Sequence, residues 1–156
     1  MLPKDVAIKT PIIIHSNKVE IHRVNEFEKM IFGSQHVTPK SLARIVNNHP
    51  LLLVASQGDR PVGFKLGYVI PDTRTWFSWL GGVHPNYRKR GIAQQLLNLQ
   101  EKHAKILGLE KIYFTTFDRF TAMINLGEKN GYQLIRSELD NGEMKYWYGK
   151  SLLKNQ

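Results

Sequence analysis

The chain has 156 residues, the length of one ordinary domain with a single sizeable hydrophobic core. Apolar residues make up 42% and charged residues 22%, with 12 glycines and 7 prolines, which excludes collagen-like, low-complexity and wholly disordered proteins. Cysteine is absent, so disulfides, thiolate metal sites, iron–sulfur clusters and cysteine nucleophiles are excluded. The net charge of +9 suits a polyanionic partner, a description that fits nucleic acids, membrane surfaces and phosphate-rich cofactors alike.

No stretch of the chain approaches the length of a membrane-spanning helix. The longest early apolar run, Ile12–Ile14, is shorter than the apolar region of a signal peptide, and no small-residue cleavage site follows it. The six histidines lack the spacings of zinc motifs, and there is no Gly-x-Ser-x-Gly elbow. We therefore expect a soluble, cytoplasmic protein that has no metal site and no hydrolase triad.

The chain is predicted to hold one domain. Residues 1–17 are expected to form a loosely attached N-terminal arm with a short strand at Ile12–His15, and residues 18–152 a single domain. Val19–Val24 is predicted to be the first strand of that domain. No repeat, low-complexity tract or linker divides the rest of the chain.

Two helix starts follow the first predicted strand. Asn25 is able to accept hydrogen bonds from early backbone N–H groups, and Glu28 three residues later is able to reach back, which predicts a capping box. The second helix is predicted to start at Thr38 and Pro39, because threonine is a good cap and proline donates nothing in the first turn.

The middle of the chain predicts three strands and a helix. Leu51–Ala55 is a short apolar run, and residues 62–70 alternate between large apolar residues and mostly small or polar ones, as the strands of a hairpin do. Thr75–Val83 is predicted to be an aromatic-rich strand. From Gly91 the apolar residues recur with helical spacing, and Gly108 is predicted to end that helix.

The last third of the chain predicts a strand, a helix and a second hairpin. Ile112–Phe117 is typical of a central strand, and the helix from Phe120 is predicted to end at Gly131. Tyr132–Ile135 and Met144–Tyr148 are predicted to pair across a tight turn. The whole order favours a mixed α/β domain with antiparallel hairpins and at least one parallel crossover.

Residues 81–93 are the segment that indicates chemistry, because a strand ends there, a basic loop follows and a helix begins at Gly91. Free backbone N–H groups and the positive end of the helix dipole favour an anion at such a place. Gly91 has no Cβ, so a phosphate can approach the backbone, and Arg88, Lys89 and Arg90 add positive charge. The glycine and lysine pattern matches neither a P-loop nor a Rossmann fingerprint.

Two motifs in this order resemble those of the GNAT superfamily of N-acetyltransferases. Arg88-x-x-Gly91-x-Ala93 is similar to the family's acyl-CoA signature, and Val83-His84-Pro85 is similar to the end of its fourth strand. Residues 123–132, Met-Ile-Asn-Leu-Gly-Glu-Lys-Asn-Gly-Tyr, resemble the helix that ends in Glu-Lys-x-Gly-Phe. The resemblance covers roughly residues 18–150.

The resemblance implies a central mixed, mostly antiparallel sheet whose fourth and fifth strands splay apart and are flanked by helices. It implies that acetyl-CoA is the cosubstrate and that its acyl group passes by direct attack to a small-molecule or peptide amine. Main-chain groups of Gly82 and Val83 would contact the pantetheine and the thioester. The pyrophosphate would be held by the following residues: Arg88, Lys89, Arg90, Gly91, Ile92 and Ala93.

The resemblance does not assign the acid or the base of the reaction to a matching residue of this chain. Many relatives have a tyrosine that protonates the leaving thiolate, and this chain has Gly127 at that position. Thr75–Val83 contains no carboxylate that could act as the base. Glu28 is our candidate, since the family's first helices flank the acceptor pocket, although a capping role competes with it. The remaining candidates for the base are Glu26, Asp72 and His36.

Two other functions remain open at this point. The absent tyrosine favours a non-catalytic acyl-CoA-binding or regulatory domain. The positive charge favours a nucleic-acid-binding module, in which Trp76, Phe77 and Trp79 would stack on bases, although no RNA-recognition signature surrounds them. For an acetyltransferase, the same aromatic residues suggest an apolar wall near the acceptor. The sequence leaves open whether the chain forms a homodimer.

Overall fold

The computed structural model describes residues 11–16, 23–32 and 37–153. The elements are β1 (Ile12–Ser16), α1 (Val24–Phe32), α2 (Pro39–Val46), β2 (Leu51–Gln57), β3 (Arg60–Val69), β4 (Thr75–Val83), α3 (Ile92–Ile106), β5 (Lys111–Phe117), α4 (Thr121–Lys129), β6 (Gln133–Asp140) and β7 (Glu143–Ser151). From α1 onward, the types and order of these elements are those that the sequence predicts. None of the helices in the described ranges is long and apolar enough to cross a membrane.

The strands form one seven-stranded sheet in the order β1-β2-β3-β4-β5-β7-β6. Every neighbouring pair is antiparallel except β4 and β5, which are parallel and are joined through α3. A parallel pair needs such a crossover, because its second strand must start at the same end of the sheet as the first. The predicted mixed, mostly antiparallel sheet is confirmed.

The parallel strands β4 and β5 stay together for only part of their length. Thr75–Ser78 pairs with Lys111–Phe114, and the pairing ends there. The rest of β4, from Trp79 to Val83, keeps its pairing with β3, with an irregularity at Trp79. The splayed fourth and fifth strands are therefore confirmed, and the gap between them opens toward the loop that leads to α3.

Apolar side chains cover both faces of the sheet. One cluster joins the sheet to α3 and α4 and contains the fully buried side chains of Trp76, Leu97 and Ile112. The other cluster joins the sheet to α1 and α2 and contains those of Ile45 and Phe64. Each helix thus buries one apolar stripe, as the helical spacing of the sequence indicates.

The start of the chain confirms one sequence expectation and corrects another. The short strand predicted at Ile12–His15 is present as β1, which pairs with β2 at the edge of the sheet and so is not loosely attached. Most of the predicted strand Val19–Val24 lies outside the described residues, but Val24 is the first residue of α1 and not the end of a strand. The boundary at residue 17 stays a prediction.

The structure corrects one helix cap and confirms the other. Asn25 lies inside α1, and its buried Oδ1 has no hydrogen-bond partner, so the predicted capping box of Asn25 and Glu28 is wrong. Thr38 caps α2 as predicted, and its hydroxyl accepts the N–H of Ser41 at 3.1 Å. Ser41 in turn accepts the N–H of Thr38 at 2.9 Å, so the box forms with serine at the third position.

Candidate active site

The loop between β4 and α3 has a fixed shape. Pro85–Tyr87 is one turn of 3-10 helix, and Nδ1 of His84 accepts the N–H of Asn86 at 3.2 Å. The Tyr87 hydroxyl donates to Oε1 of Gln57 at 2.8 Å, which fastens the loop to the end of β2. The sequence does not indicate this role of Tyr87, because a tyrosine in a polar loop carries no local signal of a contact thirty residues away.

Gly91 ends this loop and begins α3. It adopts φ = 80° in the left-handed region, and no side chain caps the helix there. A Cβ built on Gly91 would have no atom within 4 Å, so the space in front of the helix is open on the side of the missing side chain. The first N–H groups of a helix have no partner within the helix, and they bring the positive end of its dipole. The residues present therefore fit a phosphate group.

The arginines of the loop interact with its own main chain. Nε of Arg88 donates to the carbonyl of Val83 at 3.1 Å, and Nη2 of Arg90 donates to the carbonyl of Asn86 at 3.2 Å. The Arg90 guanidinium also lies 4.9 Å from the centre of the Tyr87 ring. These contacts hold the loop in shape and keep two positive charges beside Gly91. That the arginines contact phosphate stays a prediction.

The strand register decides which main-chain groups of β4 face the gap. The N–H of His84 bonds to the carbonyl of Val62 at 2.8 Å, and the direction of such bonds alternates along an antiparallel strand. The main-chain groups of Gly82, which lies opposite Phe64, therefore point to β3. Those of Gly81 and Val83 point away from β3, toward the gap. For a main-chain contact with a ligand in the gap, this register favours Gly81 over the predicted Gly82.

Aromatic residues line the α1 side of the sheet next to the gap. The ring centres of Phe77 and Tyr68 are 5.7 Å apart, and those of Phe77 and Tyr113 are 4.7 Å apart. Trp79 lies edge-on to Tyr68 at 6.4 Å. Trp76 is fully buried beneath α3 on the other face, so the expectation that it belongs to an aromatic wall with Phe77 and Trp79 is wrong.

Glu28 is fully buried on α1, and its Oε1 accepts the N–H of Val37 at 3.1 Å. This bond joins α1 to the segment before α2. A catalytic role for Glu28 stays a prediction, and the contact with Val37 favours a structural one.

The other candidate bases are not gathered at the gap. Glu26 is exposed and paired with Arg23 at 3.0 Å. Asp72 lies in the turn before β4, at the end of the strand away from the loop. His36 lies outside the described residues.

Gly127 is buried on α4 against the sheet. A Cβ at this position would lie 2.6 Å from Cζ of Phe114, far inside van der Waals contact. The Phe114 ring stacks on Tyr148, with ring centres 5.4 Å apart. A tyrosine at position 127 would therefore need the space that Phe114 of β5 fills, which gives a physical reason for the glycine.

Similarity to known proteins identifies the family of this chain. The sequence pattern of the acetyltransferase (GNAT) family matches residues 20–132. An acetyltransferase of Sodalis glossinidius is 33% identical over 116 residues, which cover 74% of this chain and 75% of that protein. The chain belongs to the GNAT acetyltransferase family. It is an N-acetyltransferase with acetyl-CoA as its acetyl donor and an amine as its acceptor.

Solved structures show the GNAT fold independently of sequence. The ribosomal-protein-S18-alanine N-acetyltransferase of Escherichia coli superposes with a TM-score of 0.79 at 14% identity, covering 94% of this chain and 97% of that one. NAA60 of Arabidopsis thaliana, in complex with a bisubstrate analogue, superposes with a TM-score of 0.73 at 18% identity, covering 90% of this chain and 98% of that one. The resemblance inferred from Arg88-x-x-Gly91-x-Ala93 is thus confirmed at the level of family and fold.

Proposed function

We propose that this GNAT enzyme holds the pyrophosphate of acetyl-CoA at residues 88–93, with the backbone N–H groups at the start of α3 as the main donors. One observation carries the proposal: Gly91 leaves the uncapped start of α3 open at the place where β4 and β5 have parted. Lys89 has φ = 62°, which bends the chain just before Gly91. Successive N–H groups in such a bend and at a helix start favour an anion.

The gap between β4 and β5 is the proposed place of the pantetheine arm. An extended chain in this gap would replace the missing pairing between Trp79–Val83 and β5. The register supports Val83 and Gly81 as its hydrogen-bond partners, and gives Gly82 the role of keeping β4 attached to β3. A main-chain N–H of β4 near the thioester would stabilise the oxyanion that develops on the carbonyl oxygen.

The reaction is a direct transfer in a ternary complex. The neutral amine attacks the thioester carbon, a C–N bond forms, the nitrogen releases a proton to water, the C–S bond breaks, and the sulfur leaves as a thiolate. The enzyme contributes mainly by holding both reactants in line and excluding water. We place the acceptor, a small-molecule or peptide amine, against Phe77, Trp79 and Tyr113, because Phe77 and Tyr113 pair just before the strands part and Trp79 is the first residue of β4 beyond that pairing.

We propose that no single tyrosine is essential for protonating the thiolate. Three of the tyrosine hydroxyls are engaged elsewhere: Tyr132 donates to Glu101 at 2.8 Å, Tyr148 to Glu128 at 3.3 Å, and Tyr87 to Gln57. Burial, reinforced by Glu101, raises the pKa of the Tyr132 hydroxyl, which makes it a poorer acid. A thiolate is a fairly good leaving group, and water is able to supply the proton. We also infer a cytoplasmic location.

The test is binding of CoA to Gly91→Val, measured by calorimetry. The branched side chain would fill the space proposed for the phosphates, so we expect CoA binding to be lost while the protein stays folded. Gly142→Val is a matched control, because Gly142 also has φ near 80° (83°) and no atom within 4 Å of a Cβ, but lies in the β6–β7 turn. Both variants carry the same backbone strain.

Comparing CoA binding in the two variants separates the loss of the phosphate site from the general effect of backbone strain. Loss of CoA binding in Gly91→Val alone would support the site. A folded Gly91→Val protein that binds CoA as tightly as the wild type would refute it, and equal loss in both variants would point to strain.

A further inference from the structure

β6 is the edge strand of the sheet beyond β7, and it is open to solvent. In the part of the chain that the structure describes, no strand pairs with its outer side. Seven of its eight residues are exposed, on both faces of the strand. Leu134, Ile135 and Leu139 are 51%, 63% and 73% exposed. The strand thus carries both exposed apolar and exposed charged residues along a long, uncovered edge, and an uncovered edge is a template for another strand.

The β6–β7 turn determines which main-chain groups of β6 point outward. Asn141 and Gly142 form a two-residue turn with positive φ at both positions, between the paired residues Asp140 and Glu143. In such a hairpin the residues that flank the turn form the first hydrogen-bonded pair, and the pattern then alternates as far as Arg136, before the register shift between Leu134 and Arg136. The groups of residues 136, 138 and 140 therefore point to β7. Those of Ser137 and Leu139 point away from the sheet.

The sequence of β6 is complementary to itself around Ser137. If a second copy of β6 lies antiparallel with Ser137 opposite Ser137, the outward N–H and C=O groups of the two serines bond to each other. The same register places Arg136 of each copy opposite Glu138 of the other. Residues in such pairs have Cβ atoms about 5 Å apart, so their charges attract. Within one chain Arg136 and Glu138 already meet at 2.6 Å, and both are exposed.

We propose that the protein forms a homodimer in which two β6 strands pair antiparallel about Ser137, joining two sheets into one of fourteen strands. The main-chain bonds and the exposed leucines and isoleucine supply the attraction. The Arg136–Glu138 pairs supply the register, since exposed ion pairs contribute little to affinity by themselves. A second copy of β6 fits this edge best. Arg136 and Glu138 flank Ser137 symmetrically, so an antiparallel copy places opposite charges against each other. The interface lies on the opposite side of β5 from β4, and the proposal does not depend on the acetyl-CoA site.

Sedimentation equilibrium of the full chain at micromolar concentrations measures the association. We expect a species of twice the chain mass of 18.0 kDa. Arg136→Glu and Glu138→Arg should each weaken the dimer about tenfold or more, since two attractive cross-strand pairs become repulsive. Lys111→Glu makes the same change of charge at an exposed residue of β5, so it is the control for Arg136→Glu and should dimerise like the wild type.

Mixing the two charge-reversed proteins tests directly whether residues 136 and 138 of the two copies face each other. Each has like charges facing in its own homodimer, but a mixed dimer again places Arg opposite Glu at every pair. We expect the mixture to dimerise like the wild type, and the double variant with both residues exchanged to do so alone. Ser137→Pro should abolish the dimer and leave the monomer folded, because the N–H of Ser137 does not serve the β7 ladder.

Three results would overturn the proposal. The first is a wild-type protein that stays monomeric at these concentrations. The second is a dimer that neither charge reversal nor Ser137→Pro weakens, which would mean that another surface joins the chains. The third is a mixture of the charge-reversed proteins that does not associate.

Discussion

Lys65 should destabilise the folded protein at neutral pH, and replacing it with methionine should stabilise the fold. Lys65 lies on β3 beneath α3 and is only 8% exposed. Burial lowers the pKa of its ammonium from 10.5 to about 8, against a smaller opposing effect of Glu101. Glu101 is already engaged with Lys150 at 3.1 Å and with the Tyr132 hydroxyl, so it does not depend on Lys65 for a partner.

The magnitude follows from the shift in pKa. Each unit of pKa corresponds to about 1.4 kcal/mol, so keeping Lys65 protonated in the folded state costs up to about 3 kcal/mol. Because the pKa of the folded state is lower than that of the unfolded state, this cost is fully present below pH 8. It declines as the pH rises from about 8 to 10.5 and is absent above that range. The wild type should therefore gain stability over this window.

The measurement is urea unfolding of the wild type, Lys65→Met and Lys111→Met at pH 7 and at about pH 9.5. At pH 7 we expect Lys65→Met to raise the free energy of unfolding by about 1 to 3 kcal/mol. The gain is smaller than the full cost of the buried charge where methionine packs less well than lysine. The difference should shrink at the higher pH. Lys111 is exposed, and its replacement should change little. A Lys65→Met protein less stable than the wild type, by the same amount at both pH values, would refute the reasoning.

Two further predictions concern α4 and α1. Gly127→Ala should lower the free energy of unfolding by about 1 to 3 kcal/mol in thermal melts, because its Cβ overlaps the Phe114 ring, and Phe114→Leu should restore part of the loss. A melting temperature of Gly127→Ala equal to that of the wild type would contradict the close packing of Gly127 against Phe114. Glu28→Gln keeps an oxygen for the N–H of Val37, and we expect an unchanged pH–rate profile because that contact is structural. A profile that loses its acidic limb in Glu28→Gln would instead identify Glu28 as the base.

The sequence predicts those parts of the site that depend on local chemistry. Thr38 followed by Pro39 specifies a helix start through contacts within four residues, and Gly91 after a basic loop specifies an open helix start in the same way. Both predictions needed no knowledge of distant residues. The family motif around Gly91 then added the splayed strands, which no local pattern contains.

The predictions that failed depend on contacts that are distant in sequence. Asn25 and Glu28 have the right spacing for a capping box, but Glu28 bonds to Val37 and α1 begins one residue before Asn25. Trp76 and Phe77 are equally aromatic in the sequence, and only the pleat of β4 places them on opposite faces. The orientation of Gly82 likewise depends on which residues of β3 lie opposite it.

The short pairing of β4 and β5 also limits how many main-chain hydrogen bonds join the two parts of the sheet. Within the described residues, four residue pairs are the only strand pairing between β1–β4 on one side and β5, β7 and β6 on the other, although the apolar cluster beneath α3 contacts both sides. An acetyl-CoA molecule bound in the proposed gap would extend this pairing. Part of its binding free energy would then go into joining the two parts of the sheet. We therefore expect main-chain amides of β4 and β5 to exchange with solvent more slowly when acetyl-CoA is bound.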